Sequence, residues 1–285
     1  MNPVSIAELK GLTDFDHHET RVSHAIQAAC ASPEMLLRFF SRYASWNGYF
    51  GSGVATLAGK IGRSRGLFRD AGEAIDALAD RSVLVASYIF DAARDEFDDR
   101  STTYRDTHRD LAQAMLSGLI HYLRGVAPEL TQTPAALNER MADPAWLRTL
   151  DTRVAQGYGS FSQDLHETIF ASIGYHLGSE LLADREFSII DAALRRNAPA
   201  LVTFLEQHRE RIGQQDHTAY TWIVIHSGSG GAVEEDHFRL ALEGVNFALG
   251  CVPAATHDEA RRHLHYGFQN FARDHREFFT CVNHT

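Results

Sequence analysis

The sequence is poor in cysteine and proline and has no long apolar run. Its 285 residues include 3 cysteines and 7 prolines. The cysteines show no CxxC spacing, so we expect neither a disulfide framework, a structural zinc site of paired thiolates, nor an iron–sulfur cluster. No stretch of about 18 apolar residues occurs, so we expect no membrane-spanning helix and no membrane partner. The N-terminal segment MNPVSIAELKGLTDFDHHET does not place a basic segment before an apolar one. We therefore expect no signal peptide and a cytoplasmic protein.

An excess of basic residues is also missing. The formal net charge is -10 with histidine neutral. Because phosphate binding requires clustered lysine and arginine, nucleic acid is not expected as a partner. A chain of this length can bury enough surface to fold without disulfides or a structural metal. We treat residues 1–285 as one domain.

Helix signals, in contrast, occur along the whole chain. Four segments predict helix starts: Ser32-Pro33, Thr133-Pro134, Asp143-Pro144, and the capping-box pair Thr256 and Glu259. Helices are predicted near 33–61, 82–97, 103–124, 144–155, 160–196, 198–212, 218–226, 232–249 and 257–281. Strand alternation is not sustained anywhere, and the β-branched run 220–226 is interpreted as a buried helical turn. The fold class is therefore predicted to be all-α, with a break between two helices at the glycine-rich segment 227–231.

Histidine is abundant, with 16 residues. Six of them are predicted to lie on the surface: His17, His18, His257, His263, His265 and His284. A few of the others are predicted to bind metal, since neutral imidazole is a common metal ligand.

Two glutamates lie on apolar helix faces, where a carboxylate is unfavourable unless it is paired or binds metal. Glu96 continues the stripe of the helix near 82–97, although it could also be a solvated residue at the helix end. Glu180 interrupts the stripe of the helix near 160–196 about halfway along, where fraying cannot explain it. His176 lies one turn before Glu180 and could share its site. Glu186 is predicted to support the ligands or to lie on the surface.

The remaining ligand candidates are three histidines and one glutamate. His108 lies on the apolar side of its helix, as either a ligand or a hydrogen-bonded core residue. Glu234 and His237 are three residues apart, so they share a helix face and can bind one metal. The alternative is that Glu234 and its acidic neighbours only complement the helix dipole. His226 precedes the glycine-rich segment and could point back to the same centre.

Small residues follow on the same face as Glu234 and His237. Ala241, Gly244 and Ala248 continue that face, so a neighbouring helix is expected to approach closely. Carboxylates combined with imidazoles suit iron or manganese. A ferritin-like bundle uses Glu-x-x-His twice, and that spacing is convincing here only at Glu234 and His237.

The order of these residues resembles that of the haem-oxygenase-like dimetal oxidases over roughly residues 33–250. In that family an Asp-Glu pair ends one core helix and a histidine follows, as in Asp95-Glu96 and His108. A later core helix carries a glutamate, matched by Glu180. The last motif places a histidine before carboxylate-x-x-His, matched here by His226 and by Glu234 with His237. The glycine-rich segment lengthens the spacing between His226 and Glu234 to eight positions.

This resemblance implies a haem-oxygenase-like helical bundle that binds two Fe(II) ions. It further implies an oxidoreductase that uses O2 as co-substrate and an external reductant. The implied ligands are Glu96, His108, Glu180, His226, Glu234 and His237. The segment HSGSGGAVEEDHF (226–238) resembles the branch that oxidises free aliphatic amino acids, including azetidine-forming enzymes of natural product biosynthesis. The expected substrate is isoleucine or valine, the expected reaction is desaturation with possible ring closure, and a homodimer is possible. An arginine should bind the substrate carboxylate.

Three alternatives stay open at this point. The same diiron site could support N-oxygenation or oxidative C–C cleavage. A metal-free binding or hydrolytic member of the fold would need a cysteine nucleophile from Cys30, Cys251 or Cys281. Haem binding would need an early histidine, for which His24 is available.

Overall fold

The computed structural model describes residues 2–69, 74, 76, 81–98, 106–183, 185–213, 215–227 and 233–284, without the side chains of 95 and 233–236. The helices in these ranges are α1 (Ile6–Lys10), α2 (Phe15–Ala29), α3 (Pro33–Asn47), α4 (Phe50–Arg63), α5 (Arg81–Phe97), α6 (His108–Val126), α7 (Pro134–Met141), α8 (Ala145–Gly157), α9 (His166–Ala183), α10 (Glu186–Asn197), α11 (Pro199–Gln207), α12 (Thr221–His226), α13 (Val233–Cys251) and α14 (His257–Cys281). Two strands, β1 (Arg209–Ile212) and β2 (Gln215–Thr218), lie between α11 and α12.

The predicted all-α fold class is confirmed, and the haem-oxygenase-like arrangement stays a prediction. None of the described helices is long and apolar enough to cross a membrane.

Two of the predicted helix starts are confirmed by side-chain caps. The Ser32 hydroxyl accepts a hydrogen bond from the Met35 N–H at 3.2 Å, and Pro33 is the first residue of α3. The Thr133 hydroxyl accepts from the Ala136 N–H at 3.2 Å. Each cap satisfies a backbone donor that the first helical turn leaves without a partner.

The other two predicted caps are wrong. Pro144, not Asp143, precedes α8, and the Asp143 carboxylate instead accepts a hydrogen bond from the Ser45 hydroxyl at 2.7 Å. Thr256 precedes α14, but its hydroxyl donates to the Pro253 carbonyl at 2.8 Å and makes no cap bond. In both cases the side chain that was predicted to cap the helix forms a hydrogen bond with another group instead.

Two long predicted helices are each divided. The segment 33–61 comprises α3 and α4, which are separated near Gly48. In the segment 160–196, helix begins only at His166 with α9, which ends at Ala183, and α10 then begins at Glu186. The β-branched run 220–226 is helical, as predicted, and forms α12.

The prediction that the chain has no strand is wrong at 209–218. The predicted helix 198–212 ends at Gln207, and β1 then pairs with β2 in an antiparallel hairpin. Gly213 adopts φ +60° at the turn, a conformation that glycine reaches without strain. Glu210 and His217 are opposite each other in the register, and both are buried. Strands of four residues are too short for an alternating pattern to stand out.

Helices α9 and α14 pack with their backbones in contact. A Cβ atom added at Gly174 would lie 1.9 Å from the Leu264 carbonyl oxygen. One added at Gly267 would lie 1.8 Å from the Ala171 carbonyl oxygen. Only glycine therefore fits at these two positions. The close approach fixes α9, the helix that carries His176 and Glu180, against the longest helix described.

The predicted close approach to α13 is confirmed, and its neighbour is α5. A Cβ atom added at Gly244 would lie 2.7 Å from the Tyr88 Cβ. Ala241 and Ala248 on the same face are buried. The small residues of α13 therefore bring the helix of His237 next to the helix of Glu96.

Candidate metal centre

The helices line a cavity of about 500 Å³. Five of the six predicted ligands line it: Glu96, His108, Glu180, His226 and His237. They come from α5, α6, α9, α12 and α13, so the tertiary fold alone brings them together. The sixth, Glu234, lies in the first turn of α13, and its side chain is outside the described part of the structure.

Glu96 and His108 form the first contact of the cluster. Glu96 Oε1 lies 3.2 Å from His108 Nδ1. His108 is the first residue of α6, whose start is held by a reciprocal capping box between Thr107 and Asp110. On the other side, a Cβ atom added at Gly51 would lie 2.9 Å from the Glu96 Cβ, so glycine leaves room for this carboxylate.

Glu180 lies between two histidines. Its Oε1 is 3.3 Å from His176 Nδ1, and its Oε2 is 3.9 Å from His237 Nδ1. A carboxylate with an imidazole near each oxygen is well placed to bind one ion or to bridge two.

His176 is completely buried, and neither ring nitrogen makes a hydrogen bond in the part of the chain that the structure describes. The contact to Glu180 is close enough for an ion pair but lies outside hydrogen-bond geometry. Burial, and secondarily the nearby His237, lowers the pKa of His176 to about 3. The ring is therefore neutral, as a metal ligand must be. Buried polar atoms rarely lack a partner, so these nitrogens point to a ligand.

His226 is fixed in one orientation by its neighbours. Its Nδ1 donates to the Trp222 carbonyl oxygen at 2.7 Å, and its ring stacks on Phe187 with centroids 4.5 Å apart. The His108 ring meets it edge-on at the same 4.5 Å centroid distance. A hydrogen bond from Nδ1 to a backbone carbonyl leaves the lone pair on Nε2, as in metal-bound histidines. α12 ends at His226, and residues 228–231 of the predicted glycine-rich break lie outside the described residues.

Glu96 and Glu180 both affect the pKa of Tyr158. Burial, followed by the charges of Glu180 and Glu96, raises the pKa of Tyr158 well above its ordinary value. The neutral phenol shares a hydrogen bond of 2.8 Å with the Ser179 hydroxyl. Two glutamates therefore lie close together in a largely buried region, where carboxylate charge is unfavourable unless a cation balances it.

Glu186 and His18 are both buried. For Glu186, predicted to support the ligands or to lie on the surface, burial excludes the surface alternative, and the residue lines the cavity. Its Oε2 accepts from the Tyr43 hydroxyl at 2.9 Å, and its Oε1 lies 2.8 Å from His275 Nε2. His18, predicted to be on the surface, is buried with its Nδ1 3.0 Å from His275 Nδ1. His275 continues the apolar stripe of α14, a signal that could have indicated this buried pair.

The donor set fits iron. Carboxylate oxygens and imidazole nitrogens suit iron or manganese, and none of the three cysteines lines the cavity. His176, which the sequence analysis placed one turn before Glu180 as a residue that could share its site, joins the candidate ligands because it is buried and its nitrogens make no hydrogen bond within the described residues.

No family model matches the chain, and comparisons with curated proteins and with solved structures find no significant similarity. The resemblance to haem-oxygenase-like dimetal oxidases thus stays a prediction that rests on the order of the residues.

Proposed function

We propose that the protein is a non-haem diiron oxidase that uses O2 to desaturate a small free aliphatic L-amino acid. The observation that carries this proposal is the convergence of Glu96, His108, Glu180, His226 and His237 on one cavity from five helices. Ion pairs that only stabilise a fold need no cavity beside them. Here the side chains come from five helices and line a cavity that has room for a small molecule.

The residues would divide the iron ligation as follows. Glu96 and His108 would hold one ion, and His237 with Glu234 would hold the other. Glu180, between His176 and His237, would bind or bridge. His226 and His176 are the further imidazoles available. When bound, the iron pair would supply the reduction of O2 that drives removal of hydrogen from an unactivated C–H bond.

The proposed desaturation needs an external reductant, because it supplies only two of the four electrons that reduce O2 to water. Desaturation takes two electrons and two protons from the substrate. Reduction of O2 to two molecules of water takes four electrons and four protons, so an external reductant supplies two electrons and solvent supplies two protons. Ring closure through the amine to an azetidine would be a second two-electron oxidation, with a second O2 and two further electrons.

The cavity walls would orient an aliphatic chain and exclude water. Trp46, Phe50, Val54, Phe187 and Trp222 are among the lining residues. Aromatic and aliphatic side chains of this kind hold an apolar group next to the carboxylates, and a dry site strengthens the electrostatic interactions within it.

Charged residues on the same cavity suit an amino acid better than a fatty acid. Arg109 lines the cavity, and its Nη1 donates to the Gly48 carbonyl at 2.8 Å. Asp143 also lines it and is bound by the Ser45 hydroxyl. Both contacts lie at the C-terminal end of α3. Arg109 would bind the substrate carboxylate and Asp143 its ammonium group.

Arg185, the arginine that follows Glu180 most closely in the described chain, is placed differently. Both arginines are exposed, but Arg185 pairs with Glu19 at 3.0 Å and does not line the cavity. Arg109 is therefore the better choice for the carboxylate.

The rival classes find less support. Burial raises the pKa of the Cys30 thiol to about 11 and also raises the pKa of Cys281, so both thiols are poor nucleophiles. Cys251 does not line the cavity. His24, required for the haem alternative, is exposed on α2 and does not line the cavity either.

The test is to incubate Fe(II)-loaded protein with a reductant, O2 and each protein amino acid, and to follow every substrate by mass. Loss of two hydrogens from isoleucine or valine supports the proposal. Gain of one oxygen on nitrogen, or release of carbon dioxide or ammonia, would assign the protein to N-oxygenation or C–C cleavage instead. Consumption of a fatty acid with no amino acid consumed would contradict it.

A further inference from the structure

A second group of histidines and a carboxylate lies outside the cavity, where α6 meets the β-hairpin. His208 Nε2 is 3.1 Å from His121 Nδ1 and 2.8 Å from Glu210 Oε1. His121 Nδ1 also contacts the same Glu210 oxygen. The three atoms therefore converge on one point, all within 4.8 Å of one another.

The three atoms crowd one another in every protonation state. If both imidazole nitrogens donate to Glu210 Oε1, two N–H groups point at one oxygen with their nitrogens only 3.1 Å apart. If one nitrogen gives up its proton, its lone pair faces the carboxylate oxygen instead. A cation between the three atoms turns every one of these contacts into an attraction.

We infer that His121, His208 and Glu210 bind one divalent transition-metal ion of the zinc, cobalt and nickel class. Two imidazoles and a carboxylate are a common ligand set for such ions, with bonds of about 2.0–2.2 Å to nitrogen and oxygen. Water can complete the coordination, since the His121 side chain is 38% exposed and the His208 side chain 29% exposed.

The fold holds the three side chains in place. The His208 ring stacks on Phe204 with centroids 4.7 Å apart, and its backbone carbonyl accepts from the Ala219 N–H at 3.0 Å. A Cβ atom added at Gly118 would lie 2.6 Å from the Ala219 Cβ, so glycine lets the hairpin reach α6.

Glu210 is the most buried of the three residues. It lies on β1 with 7% of its surface exposed, and its Oε1 faces both imidazoles. A buried carboxylate between two imidazoles is unfavourable unless it is paired or binds metal.

This site is separate from the central cavity. None of its three residues lines the cavity, and His121 is 13 residues after His108 on α6, which is about 20 Å along the helix. Its position indicates a structural role, because the hairpin leads directly into α12 and His226. An ion here would fasten that segment to α6, whether or not the central site holds iron.

A more exposed group offers an internal comparison. His166, Glu259 and His263 also have ligand atoms within 4.8 Å of one another, but Glu259 is exposed. Water competes more strongly for ligands in such a setting, so we expect this group to bind metal more weakly.

The test is calorimetric titration of the full chain with Zn(II) alone. The variants are His121→Ala, His208→Ala and Glu210→Gln, and the control is the exposed His24→Ala. Each of the three variants should lose one bound equivalent, or bind it at least about tenfold more weakly, while the control binds as the wild type does. Glu210→Gln keeps the side-chain size, so it stays informative if an alanine variant unfolds the hairpin.

A second titration separates this site from the iron site. Glu180→Ala should retain the equivalent that His121→Ala loses, and Co(II) absorption should show the same division between the two variants. The inference is overturned if all three hairpin variants keep the stoichiometry and affinity of His24→Ala. It is equally overturned if His263→Ala alone removes the equivalent.

Discussion

The two groups of histidine and carboxylate, one central and one at the hairpin, use the same donor atoms in different surroundings. The central group comes from five helices between residues 96 and 237 and lines a cavity of about 500 Å³. The hairpin group comes from α6 and from two positions beside or in β1, and its histidines are partly exposed. Ligand type alone therefore does not separate a catalytic ion from a structural one. The neighbouring cavity separates them, because O2 and a substrate need space beside the metal.

The two groups should also differ in what metal loss changes. In the central group an ion would join helices that other packing already holds, such as α9 against α14. In the hairpin group an ion would join a short hairpin to one helix. We therefore expect central variants to change activity more than stability and hairpin variants to do the opposite.

The largest expected effect belongs to His237. Replacing His237 with alanine removes the imidazole 3.9 Å from Glu180 and, in the proposed centre, would leave the second iron without its histidine ligand. Turnover with O2 and isoleucine or valine should fall by about 100-fold or more, in the range seen when metal-site architecture is lost. The measurement is product formation by mass spectrometry, with His24→Ala as the matched surface control. Retention of more than half of the wild-type rate would remove His237 from the site.

The second largest effect is expected at His176, and it tests whether this residue binds metal or is only a buried core residue. His176→Leu exchanges a fully buried imidazole for an apolar side chain of similar volume. Within the described residues, neither nitrogen of this imidazole makes a hydrogen bond. Such an exchange should leave the thermal midpoint unchanged or higher, since it removes unsatisfied polar atoms. If His176 binds iron, the variant should nevertheless hold less iron and react about tenfold more slowly. A more stable variant with full iron content and activity would assign His176 to the core alone.

Variants of the hairpin group are expected to change activity little but to lose the stabilisation that Zn(II) gives. Zn(II) at 100 times its Kd should stabilise wild type by about 2.7 kcal/mol through binding to the folded state. His121→Ala should lose this rise in thermal midpoint and keep turnover within about twofold of wild type. Calorimetry with and without Zn(II), together with the turnover assay, measures both. If His121→Ala instead lost turnover and kept the rise in thermal midpoint with Zn(II), the structural role proposed for the hairpin group would be wrong.

The smallest effect concerns His18, a buried histidine outside both groups. Burial, then the charges of His275, Arg276 and His17 against that of Asp14, lowers the pKa of His18 to about 3. Its pKa in the unfolded chain is about 6.5, so below that pH the unfolded state binds the extra proton. The free energy of unfolding contributed here is thus lost as pH falls from about 6.5 towards 3, with a slope of at most about 1.4 kcal/mol per pH unit.

The variant His18→Gln should flatten this dependence, because glutamine does not titrate. Urea unfolding at several pH values between 7 and 4 measures the slope, and the exposed His24→Gln serves as the control. Equal slopes in wild type and His18→Gln would mean that His18 is not kept neutral by the fold.

Local patterns allowed part of this to be predicted. Glu180 stood out because a carboxylate in the middle of an apolar stripe has no local explanation, and the close approach of α13 followed from Ala241, Gly244 and Ala248. The caps at Ser32 and Thr133 involve residues three positions apart, so the sequence contains both partners.

The rest depends on contacts between distant segments. Asp143 is not a cap because Ser45, 98 residues away, donates to it. His18 is buried because His275, 257 residues away, meets it. The hairpin group was missed for the same reason, since His121 and Glu210 are 89 residues apart and no helix or strand pattern links them.

The central claim is that the cavity holds two iron ions, and anaerobic titration with Fe(II) tests it most directly. The titration is followed by Mössbauer or magnetic circular dichroism spectroscopy on wild type and on Glu180→Ala, with far-ultraviolet circular dichroism to establish that the variant is still helical. Wild type should bind close to two Fe(II) per chain at the central site, and Glu180→Ala should lose most of that iron while its helices persist. A Glu180→Ala protein that binds the same iron with the same spectrum would contradict the claim.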